Sequence, residues 1–316
     1  MLAVKNIAVI AALGFVAACA NIEPPAPQVT FEAYAFEARN GEKVAAERGL
    51  FKVPENRNDA NSREIELGFV RFKSTSDNPG APIIYLAGGP GGSGVATARG
   101  RRFPLFMAMR EFGDVIAFDQ RGTGMSNDIE ECETEYRFPL DEPLTIEKSF
   151  PLLRAAANEC AAKWRARGVD LSGYNTAESA RDIDALRRGL GADKVSLWGI
   201  SYGSHLAFAA LKIMPDAIDQ VVLTGIEGLG DTVKLPARTD AYFARLQEAI
   251  NADPGAASAY PDLAGLMTRV HAKLNAAPVD VTFKDSSGND VTMTIGKIEM
   301  QMLSSFTISD PFSSVR

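Results

Sequence analysis

The stretch Trp198-Gly199-Ile200-Ser201-Tyr202-Gly203 (WGISYG) follows the apolar run Val195-Ser196-Leu197 and leads into the helical pattern Tyr202–Met214, which stops at Pro215. A strand that enters a glycine-flanked serine and leaves as a helix must turn sharply. Glycines at 199 and 203 let the backbone crowd that turn, so the serine hydroxyl is exposed. The next amide, that of Tyr202, falls at the head of the helix, where it can stabilise the oxyanion of a tetrahedral intermediate. Such a serine needs a histidine to take its proton and an acid to hold the histidine. The chain contains two histidines, His205 and His271, as candidates for that partner.

Outward from this turn, the predicted strands are Glu47–Val53, Ile65–Phe72, Pro82–Ala87, Val115–Asp119, Val195–Trp198 and Gln220–Thr224. The first two alternate apolar and polar residues, as half-buried antiparallel strands do. The later four are short, apolar and separated by helical patterns at 97–110, 146–167, 176–190 and 202–214, which predicts a parallel sheet of βαβ units and an α/β fold with helices on both faces. Past residue 231 the pattern changes to helices at 237–250 and 260–276, with strand alternation returning at 279–295. The predicted organisation is a signal segment (1–18), a tether and N-terminal segment (19–45), an α/β core (46–230) and an incomplete, mainly helical cap (231–316).

Two further motifs sit at strand ends. Gly88-Gly89-Pro90-Gly91-Gly92 follows the strand ending at Ala87, where glycine allows a backbone N–H to approach a substrate oxygen closely. A phosphate-cradling loop would end in Gly-Lys-Ser/Thr or carry Gly-x-Gly-x-x-Gly with an acidic ribose partner, and neither is present. Asp119-Gln120-Arg121-Gly122-Thr123-Gly124-Met125-Ser126 is a second strand-end turn, read as structural, with Asp119 and Arg121 tied into backbone hydrogen bonds.

GGPGG, DQRGTGMS and GISYG, in this order on successive strand ends, resemble the prolyl iminopeptidase and tripeptidyl aminopeptidase branch of the α/β-hydrolases. The resemblance covers about residues 45–235. It implies an α/β-hydrolase fold and serine peptidase chemistry that releases short pieces from a peptide N-terminus. By motif position Ser201 is the nucleophile, and the amides of Gly89 and Tyr202 form the oxyanion hole. Ala87 stands where many prolyl iminopeptidases have histidine, which leaves the exported tripeptidyl-type members open. The resemblance also implies a carboxylate for the substrate's free amine. Glu227, just past the strand ending at Thr224, is the candidate, with a solvated loop glutamate as the alternative. An esterase on the same scaffold, or a binding lipoprotein without catalysis, are the competing functions.

In this fold the triad follows the order Ser, Asp/Glu, His, with the last two after late strands. Here the core strands are expected to end near Thr224. His205 lies one helical turn beyond Ser201 and is expected to line or support the pocket; His271 is expected to be a cap residue; Asp231 and Asp240 precede any suitable strand. The expectation is an N-terminal part of a longer hydrolase, weakly active alone, with an open sheet edge where further strands belong.

Composition agrees with a globular protein: 316 residues, 46% hydrophobic and 23% charged. A net charge of -7 and a pI near 5.1 argue against nucleic acid as a partner. Residues 1–18, with Lys5 before an apolar run, read as a signal segment. Val16-Ala17-Ala18-Cys19 resembles a bacterial lipobox, which implies lipidation of Cys19, a membrane anchor and an outer-membrane location facing the periplasm; an ordinary secretion signal cleaved at Ala-x-Ala, with Cys19 incidental, is the alternative. The proline-rich Asn21–Pro27 reads as a tether. Export points to a disulfide between Cys132 and Cys160, with two separate buried thiols as the alternative. No metal-ligand spacing and no cofactor motif is found.

Overall fold

A computed structural model describes residues 25–126, 129, 131–230 and 235–309. The signal segment, Cys19 and Asp231 lie outside the described residues. The chain opens with three antiparallel strands, β1 (Thr30–Glu37), β2 (Lys43–Pro54) and β3 (Glu64–Phe72). There follow β4 (Ile83–Leu86), α1 (Gly94–Arg99), α2 (Phe103–Met109) and β5 (Val115–Phe118). The core continues through α3 (Ile146–Ala166), α4 (Thr176–Gly189), β6 (Val195–Ile200), α5 (Tyr202–Ile213) and β7 (Ile218–Thr224).

The seven strands form one sheet in the order β1-β2-β3-β5-β4-β6-β7. Pairing is antiparallel up to β3–β5 and parallel among β5, β4, β6 and β7. Side chains alternate across the pleat. Ile84, Leu86, Ile116 and Leu197 pack under α4 and α5, against Ile183, Leu186, Leu206 and Ala207. Ile83, Tyr85, Val115 and Ala117 pack on the other face against Val95, Ala98, Phe103 and Phe106 of α1 and α2. Both faces are buried, which is why the central strands read as continuous apolar runs.

Three details differ from the sequence expectation. β1 is an added strand, so the sheet holds seven described strands rather than six. In place of one helix over 97–110 there are two, because Gly100 is extended and Pro104 starts a new first turn. The helix expected over 260–276 starts at Leu263, after a separate short helix at Pro254–Ala259.

Beyond β7 lie α6 (Pro236–Ala252), α7 (Pro254–Ala259), α8 (Leu263–Ala276), the hairpin β8 (Val279–Lys284) with β9 (Asp290–Ile295), and α9 (Lys297–Ser309). This region meets the segment before α3: the Thr294 N–H donates to the Leu140 carbonyl, and the Glu299 carboxylate accepts from the Leu144 N–H. Among the described residues no helix is long and apolar enough to cross a membrane.

Candidate active site

β4, β5, β6 and β7 run parallel, so the turns after them gather along the sheet's carboxyl edge, the usual place for a ligand site in such sheets. The turn after β6 carries Ser201. Its φ of 54° is in the left-handed region, the one such non-glycine among the described residues. That conformation is strained for an L-residue and persists only where the surroundings enforce it. Here the Ser201 N–H donates to the Thr224 carbonyl at 3.0 Å, and the Ser204 N–H donates back to the Ser201 carbonyl at 2.8 Å. Gly203 has no room for a side chain, since a Cβ there would lie 2.0 Å from the Leu86 carbonyl oxygen.

The glycine loop after β4 lies against the nucleophile. A Cβ on Gly88 would fall 3.0 Å from the Ser201 Cβ. The Tyr202 N–H heads α5, where a helix leaves its first amides without internal partners. The structure therefore brings Ser201, Tyr202 and the loop of Gly89 to one place. A cavity of about 620 Å³ opens beside them, lined by Pro90, Gly91, Tyr202, Tyr174 and Trp164.

Glu227 is the residue whose position sequence reasoning left least defined. Its carboxylate accepts a hydrogen bond from the Ser201 hydroxyl at 3.2 Å. Ser204 sets that position: its hydroxyl accepts from the Glu227 N–H at 2.8 Å and donates to the Ser201 carbonyl at 2.6 Å. His205 is one turn along α5, with Nδ1 3.1 Å from the Gly228 carbonyl oxygen and its ring stacked on Tyr202. It supports the Glu227 loop. His271 lines a separate cleft between α6 and α8, with Asp240 and Phe243.

Behind the site, Asp119 accepts from the Ser93 hydroxyl (2.7 Å), the Val95 N–H (3.0 Å) and the Met125 N–H (2.8 Å), which ties the glycine loop to the turn after β5. Burial pushes its carboxyl above the usual range, with these hydrogen bonds opposing. Arg121 does more than the backbone bonding expected of it. It donates to the Glu55 and Gly173 carbonyls and grips Asp182 with two bonds of 2.7 Å. Arg57 bridges Asp182 and Glu178, and their carboxylates hold its guanidinium above its usual pKa despite burial. The signal available in the sequence was the pair Glu178 and Asp182, four apart on one helix face. A disulfide joins Cys132 to Cys160 on α3. Among the described residues no cluster of His, Cys, Asp and Glu could hold a metal.

The sequence pattern of the α/β-hydrolase fold matches residues 81–265, more than half of the chain. The chain belongs to the α/β-hydrolase family. It is similar to the serine protease Hip1 of Mycobacterium tuberculosis, 28% identical over 214 residues that make up 64% of this chain and 40% of that protein. It is likewise similar to a tripeptidyl aminopeptidase of Streptomyces coelicolor, 28% identical over 216 residues, 62% of this chain and 36% of that protein. The chain thus spans about two fifths of the length of these relatives. Among solved structures, a proline iminopeptidase-related protein from Thermus thermophilus is 19% identical, with a TM-score of 0.31 over 56% of this chain and 44% of that one.

Proposed function

We propose that this chain carries the nucleophile of an exported serine peptidase that works from the free N-terminus of short peptides through an acyl-enzyme on Ser201. The observation that carries the reading is the strained serine turn pressed against the Gly88 backbone of the glycine loop; on this reading the Tyr202 and Gly89 amides serve as the oxyanion hole. Peptidases among the similar proteins support the substrate class.

Glu227 sharpens the substrate. The α-nitrogen of a peptide's first residue is two bonds from that residue's carbonyl carbon. A carboxylate touching the Ser201 hydroxyl therefore suits a substrate whose amine belongs to the residue being acylated. That geometry favours removal of a single residue over a longer piece. Among the described residues neither histidine is hydrogen-bonded to Ser201: His205 Nδ1 lies 3.1 Å from the Gly228 carbonyl oxygen, and His271 lines a separate cleft. The region from α6 to α9 forms part of the cap. Lipidation at Cys19 and an outer-membrane location complete the proposal, and the Cys132–Cys160 disulfide fits an oxidising compartment.

Labelling with a fluorophosphonate probe, mapped by mass spectrometry, tests this. The expected result is modification at Ser201, none in Ser201→Ala, and protection by free-amine dipeptides but not by their N-acetyl forms. In Glu227→Gln that protection should weaken about tenfold, the loss of about 1.4 kcal/mol. Labelling elsewhere, or equal protection by acetylated peptides, would overturn the reading.

A further inference from the structure

We infer that Glu227 is also the proton acceptor for Ser201 toward acyl donors that bring no amine, which gives this chain a hydrolytic activity of its own on neutral activated esters. The inference rests on the reading of Ser201 as nucleophile. Three observations carry it. The Ser201 hydroxyl already donates to Glu227 Oε1 at 3.2 Å, within reach for proton transfer. The carboxylate is held there by a short relay, Ser201 carbonyl to Ser204 hydroxyl to Glu227 N–H. The loop is propped from below by His205 at the Gly228 carbonyl.

The groups facing Glu227 from α5 are Ser201, Ser204 and His205, the last through the Gly228 carbonyl. Among the described residues no cation pairs with the Glu227 carboxylate. A substrate amine would occupy it as a counter-ion. A neutral acyl group would leave it open to accept a proton.

The chemistry balances without another reactant. As the Ser201 Oγ attacks the ester carbonyl carbon, its proton moves to Glu227 Oε1, and the carbonyl π pair moves onto oxygen beside the Gly89 and Tyr202 amides. The carbonyl re-forms, the carbon–oxygen bond to the leaving group breaks, and a stable phenolate departs with that pair. Glu227 then loses its proton to solvent. In the second half a water adds to the acyl carbon, giving its proton to Glu227. The acyl–Oγ bond breaks, Oγ takes that proton, and the carboxylic acid leaves. A carboxylate is a weaker base than imidazole, so the activity is limited to leaving groups that depart without protonation.

The test is p-nitrophenyl acetate hydrolysis by the purified chain, with wild type, Ser201→Ala, Glu227→Gln, Glu227→Ala and His271→Gln compared after circular dichroism shows each to be folded. Wild type should turn over the ester above background, and His271→Gln should match it. Glu227→Gln should fall about 100-fold, in the range general-base groups supply. In Glu227→Ala, added formate should restore the rate at least tenfold, which a purely structural role would not allow; this arm also decides the matter if Glu227→Gln fails to fold. No wild-type turnover above background, or a Glu227→Gln rate within twofold of wild type while Ser201→Ala is silent, overturns the base role; the second outcome leaves the nucleophile in place. Absence of formate rescue overturns it as well. Equal turnover by Ser201→Ala overturns the nucleophile reading itself.

Discussion

Asp119 and Glu55 are both buried carboxylates near the site, and they pull stability in opposite directions with pH. Burial works to raise the Glu55 pKa, but hydrogen bonds from Arg63, the Asp170 N–H and the Tyr174 hydroxyl outweigh it and hold the carboxyl below its usual value. The unfolded chain then binds more protons than the folded one, so the Glu55 contribution is present above the unfolded glutamate pKa and is lost as pH falls through the lower folded one. Asp119 is raised by its burial, so the folded chain holds that proton longer, and its contribution is lost as pH rises through the folded value. Urea unfolding between about pH 3 and 6 should show stability rising with pH less steeply in Glu55→Gln and more steeply in Asp119→Asn. Asp119→Asn should in addition lose about 1–3 kcal/mol at neutral pH, because its amide nitrogen would meet donors where an acceptor stood. An unchanged slope in Glu55→Gln would mean that its partners rearrange on folding less than the geometry shows. At this scale Ser201 was legible in the sequence because Gly-x-Ser-x-Gly is a local signal. The contact between Glu227 and Ser201 was not, because it depends on the register that sets Thr224 beside Ile200.

Elements report their own dependence on local and distant contacts. α4 was readable to within a residue or two because its stops are in the chain: Asn175 caps the Glu178 N–H, Arg187 and Arg188 fill the last turn, and Gly191 at φ 67° follows. β1 was missed because Phe31 and Ala33 fall on one face while Tyr34 and Phe36 fall on the other, so no period-two pattern stands out; Phe36 alone of these is buried. Phe31 is kept by contacts distant in sequence, the Arg71 guanidinium 4.0 Å above its ring and the edge of Phe69. α3 has an amphipathic pattern yet no buried residue. Its attachment leans on the disulfide to Cys132 and on the Lys163 bond to the Glu133 carbonyl. Replacing both cysteines by serine should therefore speed hydrogen exchange in α3 and residues 131–145 by about tenfold or more while leaving β4, β5 and β6 unchanged. A uniform increase across the sheet would show instead that the crosslink acts on the whole unfolded chain.

For the whole molecule, the helices that sandwich the sheet leave one boundary open. Among the described residues β7 pairs with β6 and has no partner on its other side, and Val222 there is 53% exposed. Val222 lies opposite Trp198, and Phe112, 61% exposed, lines the same shallow apolar cleft. The number of strands after the serine turn made this edge legible in the sequence; which side chains line it was set by tertiary placement of the α2 end. A flat strand edge with apolar side chains is a template for pairing with another chain, and natural sheets blunt such edges with charge, lysine above all. Val222→Lys places that charge at an exposed position, where its cost to folding should stay within about 0.5 kcal/mol. Sedimentation velocity over rising concentration should show wild type shifting toward larger species and Val222→Lys remaining monomeric, with the two thermal midpoints close together. Identical sedimentation of both would mean that the edge is shielded by residues outside those described. A variant that lost stability instead would mean that Val222 packs against a further element, since a lysine is destabilising where the site is closed and nearly neutral where it is open.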